Sequence, residues 1–237
     1  MRQSWISIAT SALLLLGAGA ARADELALFN AAVEEFASHN RAAIGYLRSE
    51  NTDLALVELD RMKEFWGSFA ERFGGHRPAP FRDNKLYVTM LVDVPTRIVT
   101  AMIMVNFGRL DIARGSLQGI REEMSAVRRA SGVEVLADCV IDTNTAMGAL
   151  RTVADAPDWD KPDIAAKADA YGAAVRRCDG MAAESVRADP EFRRLADGIA
   201  ASLALVPRAI AARDGDLLHR IIIELQAFDN LLAFRYG

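Results

Sequence analysis

The chain has 237 residues, with 28 Lys and Arg against 32 Asp and Glu for a formal charge of −4, and 51 % of it is apolar. That is enough for one large core or two smaller ones. An acidic balance with no basic cluster interleaved with aromatics argues against nucleic acid as a partner.

Residues 1–23, MRQSWISIATSALLLLGAGAARA, open with Arg2, continue through an apolar stretch from Ile6 to Leu16 and end in Ala21-Arg22-Ala23. This is the build of a secretory signal peptide cleaved before Asp24, with an apolar run too short to span a bilayer comfortably. No later apolar stretch comes close, so no membrane span is expected after the leader is removed. Removal takes two Arg and no acid, which leaves 26 basic against 32 acidic residues and a net charge of −6. An exported protein of the bacterial periplasm is the expectation.

After the leader, apolar residues recur at helical spacing almost throughout. A first helix, about 25–48, sets Leu26, Phe29, Val33, Phe36, Ile44 and Leu47 on one face, broken only by Asn40. A second begins at the cap Asn51-Thr52-Asp53, faces inward with Leu59, Met62, Trp66, Phe69 and Phe73, and stops at Gly74-Gly75. After the linker GGHRPAPFRD, a third spans about 84–106 with Pro95 inside it. The fourth is opened by Gly108 and Asp111 and runs to Ser131-Gly132. The pattern then resumes at about 133–153, 164–187, 190–212 and 216–236, with the linker ADAPDWDKPD between the first two and an Asp216 cap on the last. Strand-type alternation is nowhere sustained.

Segment 53–66, DLALVELDRMKEFW, aligns with 111–124, DIARGSLQGIREEM, and Val-Pro recurs at Val94-Pro95 and Val206-Pro207. The expectation is an all-α protein of eight helices in two similar four-helix up-down bundles in tandem, residues 24–132 and 133–237. The plainer account of the internal likeness is that any capped amphipathic helix looks this way. A tetratricopeptide solenoid is excluded because the Asp53, Asp111 and Asp216 units lie 58 and 105 residues apart, with no 34-residue period.

The two cysteines, Cys139 and Cys178, lack the Cys-x-x-Cys-His setting of covalent haem. Each lies 14 residues from the Asp-rich linker, Cys139 before it and Cys178 after it. That is roughly 21 Å along each helix, and both fall on apolar stripes. Two level, core-facing cysteines on neighbouring antiparallel helices in an oxidising compartment are expected to bond; the alternative is two separate buried thiols.

At this point the chain resembles the cytochrome c-prime and b-haem group of exported four-helix bundles, in its leader, its helix lengths and the ending GDLLHRIIIELQAFDNLLAFRYG, and within that group its haem-free members. The resemblance covers residues 133–237 best. It implies a four-helix bundle, and since the haem-attachment motif is absent, it carries over no haem ligand.

For non-covalent haem the candidate axial ligands are His39, His219, Met62, Met90, Met102, Met104, Met124, Met147 and Met181; Met as core filler is the plainer reading. Asp155, Asp158, Asp160 and Asp163 crowd the linker as weak candidates for a hard cation, although Asp163 more simply caps the next helix and the others are solvated. Glu58 with Asp60 and Glu122 with Glu123 read as solvated faces, whereas Glu224 and Asp229 are placed for partial burial beside an Arg. No nucleophile elbow, zinc-protease motif or phosphate loop is present. The expectation is therefore a non-enzymatic exported binding or scaffold protein without a cofactor, acting on an envelope protein or small ligand. The alternative is a b-haem or metal-binding electron-transfer protein.

Overall fold

The computed structural model describes residues 10–159 and 162–237, with side chains from residue 25 onward. The expected leader, residues 1–23, therefore falls on positions whose side chains lie outside the described residues, and residues 1–9 lie outside them altogether. Among the described residues the chain is all-α, without strands, and its eight long helices pack as antiparallel pairs. It divides into two compact units, Met1–Val133 and Glu134–Gly237.

The first unit contains α1 (Thr10–Arg48), α2 (Thr52–Phe73), a 3-10 turn (Ala79–Phe81), α3 (Lys85–Asn106) and α4 (Leu110–Ala130). Each helix packs on two others: α1 on α2 and α4, and α3 on α4 and α2. The core is aromatic at one end, where Phe29 meets Phe69, Phe73, Phe81 and Tyr87 at 4.7–6.0 Å between ring centroids. Polar side chains inside it answer backbone groups, as burial requires. Asn40, the one break in the apolar face of α1, donates through Nδ2 to the Leu117 carbonyl of α4 at 3.1 Å. The Tyr87 hydroxyl donates to the Phe73 carbonyl at the end of α2. Asn84 caps α3 by accepting from Leu86 N–H, while its Nδ2 donates to Val127 O and Ser131 Oγ at the end of α4.

Pro95 sits inside α3, which nevertheless runs unbroken. A proline lacks the N–H that would satisfy the carbonyl four residues back, here that of Leu91. The Trp66 indole N–H of α2 points at that oxygen from 3.4 Å and supplies a donor from outside the helix. The aligned positions of α2 and α4 share their burial: Ala55 and Ala113, Leu59 and Leu117, Met62 and Ile120 are all fully buried.

The second unit contains α5 (Leu136–Asp155), α6 (Asp163–Met181), α7 (Glu184–Arg187), α8 (Pro190–Leu203), α9 (Val206–Ala212) and α10 (Gly215–Tyr236). Cys139 lies 16 residues before the end of α5 and Cys178 15 after the start of α6. Both are buried, and they form a disulfide across a Cα separation of 5.5 Å, consistent with an oxidising location outside the cytoplasm. Arg177 to Asp142 at 2.9 Å ties α6 to α5, and Arg193 to Asp179 ties α8 to α6. Asp229 of α10 is buried between its neighbours and accepts from Asn144 of α5 at 2.8 Å and from the Tyr171 hydroxyl of α6 at 3.4 Å.

Several boundaries differ from the sequence reading. The helix expected over 164–187 ends at Met181 because Ala182 turns to extended backbone and is buried beside Phe192 and Leu195. The helix expected over 190–212 breaks at Ala204 and Leu205, just before Pro207. Asp111 and Asp216 lie in first turns and are not the caps. Arg109 precedes α4 without a side-chain bond, and Asp214 caps α10 by accepting from Leu217 N–H. By length and composition alone, Lys85–Asn106 and the broken segment Pro190–Ala212 are apolar enough to cross a membrane, as the core helix of a soluble protein can be, and 28 % of each apolar window is buried.

Two measurements check this account. Reducing the disulfide lowers stability by about 4 kcal/mol in the chain-entropy model, read as a lower urea midpoint in reductant. Trp66→Phe removes the donor to Leu91 and lowers stability by about 1 kcal/mol beyond its packing loss. In a Pro95→Ala background that extra loss disappears, because residue 95 then supplies its own N–H.

Candidate functional site

A groove of about 380 Å3 runs between α6 and the α8–α9 wall. Its existence follows from local sequence. On α6 the residues facing it are small, chiefly Ala168 and Gly172; opposite stand Leu203, Val206 and Ile210. The helix break before Pro207 separates Leu203, the last residue of α8, from Val206, the first of α9, so that no continuous helix fills the space. A Cβ on Gly172 would stand 3.1 Å from Leu203 Cδ1 and 3.2 Å from Arg176 Nη1. A side chain there would crowd both the leucine methyl and the guanidinium.

Arg176 and Asp169 stand on the rim seven residues apart, about 10 Å along α6. Arg176 makes no ion pair among the described residues, unlike its neighbour Arg177, which pairs with both Glu134 and Asp142. The site is thus an apolar trough with an uncommitted cation at one end and a carboxylate at the other, at the small end of ligand pockets in size. Neither His nor Met lines it, so it brings no axial haem ligand together.

The other candidates are placed as follows. Asp155 ends α5 and is exposed, Asp158 is exposed in the turn, and Asp163 is the first residue of α6 rather than its cap, that place being held by Pro162. Asp160 lies outside the described residues. Among those described, no group of three or more His, Cys, Asp or Glu is placed to hold a metal ion. Met62, Met90, Met124 and Met147 are buried core side chains, Met102, Met104 and Met181 are half-buried, and His219 is exposed.

Glu58 is buried rather than solvated: its Oε2 lies 2.7 Å from His39 Nδ1 and its Oε1 accepts from Arg61 at 2.8 Å. Glu123 is likewise half-buried against Arg97 at 3.2 Å, and burial raises its pKa although the Arg97 hydrogen bond works the other way. Asp229 is buried and Glu224 is exposed, so the expected pair on α10 divides. Sequence reasoning missed the groove. Its one available signal was the small face of AAKADAYGAAVRR opposite a Val-Pro break.

Searches against protein-family models, curated proteins and solved structures return no match. The chain is an all-helical protein of antiparallel helix pairs, and no family is identified.

Burial raises the pKa of Tyr171, with the charge of Asp229 adding to it, and burial likewise raises that of Tyr87. In the unfolded chain both phenols ionise near 10, whereas in the folded chain they stay neutral well above that. Their contribution to stability is whole below pH 10 and is lost as pH rises further. The urea midpoint therefore falls as pH rises above about 10, and Tyr171→Phe makes that fall shallower.

Proposed function

We propose that this chain is a non-enzymatic exported binding protein of the periplasm, built as two four-helix bundles in tandem, and that the groove between α6 and α8–α9 holds a small ligand with an apolar body and an acidic group. The ring of contacts in the first unit, α1 to α2 to α3 to α4 and back to α1, supports the bundle reading. So does the packing of α10 on α5 and α8 in the second. The disulfide supports export, and the resemblance to haem-free exported four-helix proteins agrees with both.

The observation that carries the ligand reading is the uncommitted guanidinium of Arg176 over an apolar floor that Gly172 leaves open. A guanidinium recognises a carboxylate through charge-assisted hydrogen bonds, while the floor gains by covering alkyl groups. Asp169 at the far end repels the acidic group and so orients the ligand.

Titrating decanoate and decanol separately into the purified chain tests this, with the Leu203, Val206 and Ile210 methyl resonances as readout. Decanoate shifts all three. Arg176→Gln weakens decanoate by about 10- to 100-fold and leaves decanol unchanged, and Gly172→Leu blocks both. No shift with either molecule, or decanoate binding indifferent to Arg176, refutes the reading. Shifts produced only by a co-purifying envelope protein would make the groove a protein-docking site instead.

A further inference from the structure

The outward face of α3 carries a run of large apolar side chains that are exposed among the described residues: Val88 at 46 % exposure, Val92 at 62 %, Val99 at 43 %, Ile103 at 45 %, and Phe107 just past the helix end at 75 %. They lie opposite the buried side of the same helix, formed by Tyr87, Met90, Val94, Ile98, Ala101 and Val105. From Val88 to Ile103 the run advances fifteen residues, close to four helical turns, so it lies almost parallel to the axis.

The polar residues among them do not interrupt it. Thr96 Oγ1 donates to Val92 O and Thr100 Oγ1 to Thr96 O, and Asn106 donates to Met102 O, so these groups are satisfied within their own helix. Of the three charges of α3, Lys85 is its first residue and stands before the run begins, and the other two lie off the face. Arg97 reaches α4, bonding Glu123 and crossing Gly119, and Asp93 raises the pKa of that same Glu123.

We infer that this face is the seam of a homodimer in which α3 packs antiparallel on α3 of a second copy. The spacing is the same read in either direction. A two-fold axis between Pro95 and Thr96 sets Val88 against Ile103 of the second copy, Val92 against its Val99 and Pro95 against its Thr96. A self-complementary patch of this kind is what an isologous two-fold interface requires. Two copies of these five side chains cover roughly 1,000 Å2, the lower bound of a specific interface. The chain is acidic overall, yet no charge meets its like along this seam.

Sedimentation equilibrium of the full chain purified from the cell envelope tests the inference, with circular dichroism to confirm that each variant is folded. The wild type is a dimer that dissociates on dilution. Val92→Glu alone and Val99→Lys alone each weaken association at least tenfold, because each sets a lone charge against the apolar side chain of the other copy. The double variant Val92→Glu/Val99→Lys restores it, since the antiparallel register pairs the two opposite charges twice.

A monomer at every concentration overturns the inference, as does a dimer unaffected by Val92→Glu or a double variant that fails to recover. A monomer that floats with phosphatidylethanolamine/phosphatidylglycerol vesicles, and loses that property on Val92→Glu, overturns it in favour of a lipid surface.

Discussion

The bond between Cys139 and Cys178 sets the frame of the second unit, because it fixes α6 against α5 near the end remote from their connecting turn. From that fixed line α6 sends Tyr171 inward to Asp229 and turns its small residues toward α8 and α9. The helix shares the buried carboxylate of α10 with Asn144 of α5 on one side and walls the groove on the other. Were α6 free to slide by one turn, the pairing with Asp229 and the opening over Gly172 would both be lost. The long-range ion pairs of α6, Arg177 to Asp142 and Asp179 to Arg193, are partly exposed and contribute little against such a slide.

Elsewhere a second pattern recurs: several polar groups in the interior find their partners on another helix. Trp66 answers the carbonyl that Pro95 strands, Asn40 reaches Leu117 O, Tyr87 closes the end of α2, and Asn144 and Tyr171 solvate Asp229. These contacts are directional, whereas the surrounding Leu, Phe and Met contacts are not. They select one register among the many that an apolar stripe allows. The contrast between the two Val-Pro pairs makes the same point. Pro95 has Trp66 beside it and its helix continues; Pro207 stands after a break, and the break opens the groove.

What could be read from the residue order was what depends on near neighbours. Helical spacing located the eight long helices, and Asn51 declared its helix start. Cys139 and Cys178 were paired by counting along two rods joined by one turn. Reading failed where the deciding contact came from far along the chain. Glu58 looked solvated because His39, nineteen positions away, does not show in the local pattern. Asp216 is not the cap because the chain offers Asp214 two residues earlier and spacing does not say which of them bonds, and α4 follows Arg109 with no side-chain cap at all. The stop at Ala182 carries no local signal, since two alanines continue a helix well; burial beside Phe192 overrides them. The groove was invisible for a related reason, being an absence of side-chain volume shared between helices some thirty residues apart.

The three tryptophans are distributed in a useful way. Trp5 lies within residues 1–23, Trp66 is buried in the first unit, and Trp159 packs partly against the core of the second. A chain lacking residues 1–23 holds a single indole in each unit, and so carries one natural fluorophore per unit. Replacing either by phenylalanine leaves emission from the other alone, and the order in which the two halves come apart can be followed optically without attaching a dye.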